Sequence, residues 1–381
     1  MKRYVVVAIV GALAAAAAPP ASAPAQEQPR ARNVLVVTMD GLRWQELFGG
    51  LQAEMLTKAA GGVGEAAPIT QRFGAATAEE RREKLLPFVW TVIAKQGQVF
   101  GDPSRNSHVR VTNGLRFSYP GYNEMLVGFP DPRINSNDKV LNPNVTVLEW
   151  LHRRPGFGGR VAAFASWDLL PWIVNAERSG IHANGDGAPV ARPATDRDRL
   201  LNDFAADLPP YWGATRFDAP TGFGALEYLR THQPRVLYVM LGETDEWAHG
   251  RRYDLYLDAA RRNDRFIQRL WDTAQAVPAY ANTTALLVAT DHGRGDTATD
   301  WTSHGEKVPA ADRIWMAAMG PGIAPLGVRA DVSVTQSQLA ATIAALVGED
   351  YAAAQPKAAA ALDLSVAIRA RSRGGGAGAR R

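Results

Sequence analysis

The sequence predicts an α/β fold: a doubly wound, mostly parallel sheet with helices on both faces and with surface insertions. Two observations carry this. Short β-branched runs recur along the chain, each closing in a turn, and helical patterns lie between them, which is the alternation that parallel strands with crossover helices require. The runs are also almost continuously apolar, as strands buried on both faces are. With 381 residues and 46% apolar content, the chain can fill one large core.

Taken in order, the first strand is expected over 33–41 (NVLVVTMDG), followed by helical patterns over 79–96 and 145–153. Further strands are expected over 160–168 (RVAAFASWD) and 235–245 (RVLYVMLGETD). After Arg252, Tyr256, Ala259, Ala260, Phe266, Ile267, Leu270 and Trp271 recur at spacings of three or four, predicting a long amphipathic helix. The last two strands are expected over 284–293 (TALLVATDHG) and 313–322 (RIWMAAMGPG), and all five read as buried and parallel. Two Gly/Pro-rich stretches, 49–78 and 175–222, fit neither period and read as surface insertions near the site. No internal repeat is visible.

The first 25 residues combine Lys2 and Arg3, an apolar run from Tyr4 to Ala18, and small residues at Ala21, Ala23 and Ala25. That is the pattern of a secretory signal peptide cleaved before Gln26, and the apolar run is short of the ~20 residues of a spanning helix. The expected organisation is a signal peptide over 1–25, a single α/β domain over 26–367, and a disordered Gly/Arg tail over 368–381. The expected location is periplasmic or secreted, free of the membrane after cleavage. Cysteine is absent, so disulfide and thiolate chemistry are excluded. The net charge of +4 sits at the ends: without the leader and the arginines from Arg369 onward, the body holds 35 basic against 38 acidic residues. No basic footprint for nucleic acid remains. Oligomeric state is not legible in the sequence.

Chemistry concentrates at the strand ends, where open α/β sheets bind ligands. Asp40 ends the first strand, Asp245 follows the third, and Asp291 with His292 follows the fourth. Asp245 and His249 are four apart, one face of a helix. His304 lies in a Gly-flanked turn further on. The other histidines, His108, His152, His182 and His232, lack acidic company and are expected to be surface or hydrogen-bonded residues. Three aspartates, three histidines and a serine suit two divalent ions, zinc best for mixed N/O donors. Two such ions about 4 Å apart clamp the attacking and leaving oxygens of an in-line displacement. Ser118, in RFSYPGYNE, has two readings: a helix N-cap ahead of Pro120, or a nucleophile facing an anion at a helix start.

These residues resemble the alkaline phosphatase superfamily, in particular its type I phosphodiesterase and nucleotide pyrophosphatase branch. VVTMDGLRW is similar to the opening Asp-Gly motif, FSYPGY to the nucleophile motif, TDEWAH to Asp-x-x-x-His, ATDHG to Asp-His-Gly, and SHGEKVP to the final histidine motif. The resemblance covers most of 33–345. It implies an alkaline-phosphatase-like fold and Ser118 as nucleophile, with a phosphoserine intermediate. It implies one ion on Asp40, Ser118, Asp291 and His292, and another on Asp245, His249 and His304. It also implies a substrate-binding Asn past the nucleophile, for which Asn137 is favoured among Asn135, Asn137, Asn142 and Asn144.

One departure discriminates. Formylglycine sulfatases carry Arg at the fifth position of the nucleophile motif, where this chain has Tyr122. The inserted domain of the cofactor-independent phosphoglycerate mutases has no room within 119–244. The expected function is an exported two-metal hydrolase of small-molecule phosphate esters, of the diester or pyrophosphate type. The alternatives are a phosphomonoesterase, a sulfate or phosphonate ester hydrolase on the same scaffold, and a non-catalytic secreted binding protein. Lys139, Arg116, Arg294 and Lys307 are the candidate cations for a monoester. Trp167, Trp172, Tyr211, Trp212 and Phe217 are the candidate leaving-group aromatics.

Overall fold

The computed structural model describes residues 30–365. The signal peptide expected over 1–25 and the tail expected over 368–381 therefore lie outside the described residues. Among the described residues, eleven strands form two sheets: β1 (Asn33–Met39), β2 (Gly97–Phe100), β3 (Ser107–Arg110), β4 (Val161–Ala165), β5 (His182–Asn184), β6 (Val236–Leu241), β7 (Thr284–Ala289), β8 (Arg313–Ile314), β9 (Met316–Met319), β10 (Gly327–Val328) and β11 (Val332–Thr335). The main sheet has the order β10-β2-β9-β7-β1-β6-β4-β5, and a small second sheet has the order β11-β3-β8.

β1 lies between β6 and β7, parallel to both, and β4 and β5 continue the parallel run outward. Along β1, Leu35 and Val37 face one core and Val34 and Val36 the other, so helices must cover both sides. Helix Tyr253–Ala276 packs one face, burying Tyr256, Ala260, Ile267 and Leu270, and helix Ser118–Val127 packs the other. The register pairs Met39 with Leu241 and Thr38 with Ala289, which brings the carboxyl ends of β1, β6 and β7 level.

Four expectations need correction. The run over 313–322 is two strands, and β9 is antiparallel to both β7 and β2. Between β8 and β9, Trp315 is buried and donates from Nε1 to the Leu42 carbonyl at 2.8 Å, and a buried apolar run carries no record of its direction. The helix over 79–96 stops at Leu85 and resumes as a π-helical turn over Val89–Ile93, because Pro87 lacks an N–H and restricts Leu86. Asp264 accepts the Phe88 and Val89 N–H groups at 2.9 and 3.0 Å, supplying partners to that restart. The insertions are not irregular: 49–78 contains helix Ala66–Phe73, and 175–222 contains the edge strand β5 and helix Asp196–Ala206. Finally, Ser118 is not an N-cap; Phe117 holds that position, and Ser118 is the first helical residue.

Candidate active site

Asp40, Asp245, His249, Asp291, His292, His304 and Ser118 converge at the level carboxyl ends of β1, β6 and β7. Asp40 follows β1 directly; its N–H donates to the Leu241 carbonyl at 2.9 Å, and its own carbonyl accepts from Thr244 Oγ1 at 2.6 Å. Gly41 then turns with φ +57 and donates its N–H to Asp291 Oδ1 at 3.1 Å. A Cβ at Gly41 would stand 2.8 Å from Asp245 Oδ1 and 2.9 Å from Arg294 Nε, so only glycine serves there. Helix Glu243–His249 puts Asp245 and His249 one turn apart, with Oδ2 and Nε2 separated by 3.1 Å.

His292 is the hub. Its Nδ1 lies 2.9 Å from the Gly293 carbonyl, which turns Nε2 inward to within 3.3 Å of Asp40 Oδ1, 3.5 Å of Asp291 Oδ2, 3.7 Å of Asp245 Oδ1 and 3.4 Å of Ser118 Oγ. His304 stacks on it at 4.0 Å between ring centres. His304 Nδ1 is 3.3 Å from the Arg116 carbonyl, leaving Nε2 2.9 Å from His249 Nε2 and 3.7 Å from Asp245 Oδ1. Ser118 is buried at the start of its helix, and Gly121 lets that helix close on the Asp291 carbonyl, which a Cβ would meet at 2.6 Å.

Burial and the neighbouring Asp40 hold the Asp291 carboxyl well above the usual carboxylate range. Burial alone would depress the His292 imidazole, but Asp291 and Asp40 outweigh it and raise it to about 9. Burial, with His292, Arg294 and His249 adding repulsion, drives His304 well below its ordinary value. Two buried carboxylate oxygens, Asp40 Oδ1 and Asp291 Oδ2, have no hydrogen-bond partner. Oxygens stripped of water are costly unless positive charge faces them, and the single His292 imidazole is shared among Asp40, Asp291 and Asp245 at 3.3 to 3.7 Å, too little for three carboxylates. Two groups can hold one: Asp40 with Asp291 and His292, and Asp245 with His292 and His304, each set of donor atoms lying within 4.8 Å. The mixed N/O donors fit a divalent ion such as zinc.

Other residues complete the surroundings. Asn137 Oδ1 accepts the Tyr119 N–H at 3.0 Å, beside the Ser118 turn. The Tyr122 hydroxyl, fully buried, donates to Asp40 Oδ2 at 2.8 Å; the sequence reading missed this contact, although Ser118 and Tyr122 are four apart on one helix face. Of the candidate cations, Arg294 is buried against Asp245 and donates to the Thr302 carbonyl at 2.7 Å. Burial pushes its guanidinium down to about 9. Lys139 pairs with Asp168 at 2.7 Å, Arg116 donates to the Glu306 carbonyl at 2.8 Å, and Lys307 is exposed. Trp212 packs edge to face with Tyr211, Phe217 and Trp247, and Tyr211 lies tilted against Trp247, which stands between Asp245 and His249 in the sequence. Trp172 lies under Lys139, and Trp167 bridges to Thr215. Away from the site, His182 and His232 sandwich Tyr228.

The family model described as type I phosphodiesterase / nucleotide pyrophosphatase matches residues 105–366, more than half of the chain. No curated protein sequence matches the chain. Among solved structures, the lipoteichoic acid synthase LtaP from Listeria monocytogenes superposes with a TM-score of 0.54 at 12% identity, over 87% of this chain and 75% of that one. Ps i-CgsB in complex with k-i-k-neocarrahexaose gives 0.52 at 14% identity, over 89% and 76%. A murine ectonucleotide pyrophosphatase / phosphodiesterase 5, in an inactive form in complex with AMP, gives 0.51 at 11% identity, over 84% and 96%. At these identities the likeness is one of fold.

Proposed function

Since the chain belongs to the type I phosphodiesterase / nucleotide pyrophosphatase family, we propose that it hydrolyses phosphodiester or pyrophosphate bonds of small molecules through Ser118, in the periplasm or outside the cell. The observation that carries the reading is Ser118 itself: a buried hydroxyl at a helix start, 3.4 Å from His292 Nε2 and beside two carboxylates with partnerless oxygens. Asp40, Asp291 and His292, with Ser118, would hold one divalent ion; Asp245 and His304 would hold another with His249, whose Nε2 stands 3.1 Å from Asp245 Oδ2 and 2.9 Å from His304 Nε2, rather than share His292 with the first. Two such ions, zinc by preference, would supply positive charge for the phosphoryl oxygens and favour the ionised hydroxyl.

Ser118 Oγ forms a bond to phosphorus as the bond to the leaving oxygen breaks, giving a phosphoserine. Water then attacks the same phosphorus and Oγ departs, so a diester yields an alcohol first and a phosphomonoester second. The Tyr119 N–H holds Asn137 by its Oδ1 next to Ser118, which would leave the side-chain NH2 of Asn137 to donate to oxygens of the pentavalent state. Asn137 is therefore assigned to substrate binding. A monoester dianion carries one more charged oxygen than a diester and calls for a free cation. Of the four candidate cations, Arg294, Lys139 and Arg116 are engaged elsewhere and Lys307 is exposed to solvent, which favours the diester. Tyr122 in place of Arg disfavours formylglycine chemistry.

The test compares kcat/KM for an aryl phosphate, an alkyl aryl phosphodiester and an aryl sulfate with one leaving group. A diester preference of about tenfold, or ~1.4 kcal/mol in transition-state binding, supports the reading; equal or greater monoester turnover sinks it. No helix among the described residues is long and apolar enough to cross a membrane. Export is checked by intact mass: mature protein should begin at Gln26, and a mass that retains Met1 to Ala25 contradicts cleavage.

A further inference from the structure

The geometry points to Glu124 as a positioning residue that sets Ser118 against both ligand groups, an inference that rests on the reading of Ser118 and the proposed ions. Glu124 lies on the same helix as Ser118 and is fully buried. Its carboxylate receives the Thr112 N–H at 3.0 Å and hydroxyl at 2.8 Å, the Asn113 N–H and side-chain amide at 2.9 Å each, and the Ser337 hydroxyl at 2.7 Å. No basic side chain is among these partners. A buried carboxylate held only by neutral donors depends on all of them, and their segments are fixed by it in return.

Two of those segments lead to the site. Asn113, clamped by Glu124, accepts the Leu115 and Arg116 N–H groups on its Oδ1 at 2.9 Å each. This turn holds Arg116 at φ +55, a conformation a non-glycine residue keeps only when its surroundings enforce it. The Arg116 carbonyl in turn accepts the Gly305 N–H at 2.9 Å and faces His304 Nδ1 at 3.3 Å. Thus the ring orientation of His304 is read out from Glu124 through Asn113 and Arg116. The other segment is the junction after β11. Ser337 donates to Glu124, while the adjacent Gln336 donates to the Asp291 carbonyl at 2.7 Å and the Thr290 carbonyl at 3.2 Å. One carboxylate therefore ties the Ser118 helix to the loops that carry His304 and Asp291.

Glu124→Gln tests this, because it keeps the shape and places an amide N–H against groups that are themselves donors. Zinc affinity is measured by competition with a chromophoric chelator, and kcat and KM with the alkyl aryl phosphodiester, at a temperature where the variant is folded. The expected result is a 10- to 100-fold weaker second zinc equivalent and a kcat lowered by about the same factor, with KM within about twofold. Should Glu124→Gln not fold, Asn113→Ala, at a half-buried surface position, cuts the same relay to Arg116 and is expected to give the same pattern more weakly. A variant whose melting temperature falls while zinc affinity and the kcat of the folded protein hold would make Glu124 merely structural and overturn the inference. Ser118→Ala run in parallel separates the two readings. If it still turns over substrate, the nucleophile is misassigned, and the zinc measurement alone then decides whether Glu124 orients the ligand loops.

Discussion

Removing the hydroxyl of Tyr122 is the most exposing perturbation of the site, since Tyr122→Phe deletes one oxygen and leaves the ring packing intact. That oxygen is fully buried and donates to Asp40 Oδ2 at 2.8 Å, while Asp40 Oδ1 has no partner. One carboxylate oxygen is thus pinned and the other is left for an ion. Two effects compete in the variant. The hydroxyl withdraws charge from Asp40, so its loss strengthens the carboxylate as a donor; it also fixes the carboxylate's orientation, so its loss lets the group turn away. A hydrogen bond to a charged acceptor contributes about 1.5–3 kcal/mol net, and losing an outer partner of a metal ligand typically costs 10- to 100-fold in affinity. Orientation should therefore win. Metal-free Tyr122→Phe is expected to lose about 1.5–3 kcal/mol in urea unfolding, and zinc at the Asp40 group should bind 10- to 100-fold more weakly in a chelator competition. Zinc affinity within twofold of wild type, with an unfolding free energy within about 0.5 kcal/mol, would refute the reasoning and make the contact incidental.

Ser118→Ala should abolish phosphoenzyme formation and lower turnover of aryl phosphodiesters by several orders of magnitude, with zinc content nearly unchanged because Asp40, Asp291 and His292 remain. Wild-type turnover in this variant would remove the hydroxyl from the chemistry. His304→Ala removes one of three proposed ligands, and zinc measured per chain should fall from two toward one; retention of both would reduce SHGEK to a loop. His182 offers a test remote from the site. Burial first, then Arg192 and His232, push its imidazole down to about 4, so the folded state prefers the neutral ring. Its contribution is present above pH ~6.5 and is lost as pH falls from ~6.5 toward ~4. Allowing for its partial exposure, about 1–2 kcal/mol should disappear in that window, and His182→Phe should flatten the profile of unfolding midpoint against pH.

The aspartates and His292 of the site were legible because they follow strong apolar runs, and in a parallel sheet the ends of such runs share one edge. Asp40, Asp245 and the Asp291–His292 pair stand there for that reason. The spacing of Asp245 and His249 was legible too, since a four-residue interval has one meaning on a helix. What could not be read was direction and distance. β9 is as apolar as its parallel neighbours, and nothing in Met316–Met319 encodes that it runs the other way. β5 and β10 are three and two residues long, too short to show a period. Tyr122 reaches Asp40 across 82 residues of sequence. Glu124 looks like an ordinary helical acid until Thr112, Asn113 and Ser337 are seen around it.

The placement of β1 has a consequence for how the molecule assembles. β1, the first strand among the described residues, lies inside the sheet with three or four strands on either side, and both of its partners come late: Val34 pairs with Val236, and Asn33 with Thr284. Asp40 cannot meet Asp291 until a loop of about 250 residues has closed, the kind of distant contact that makes folding slow. Nascent or truncated chains that stop short of β7 hold Asp40, Ser118 and Asp245 but no pocket to put them in. The ligand cluster is therefore complete only once a central strand has gained neighbours synthesised long after it, and a chain that ends before β7 lacks Asp291, His292 and His304 altogether.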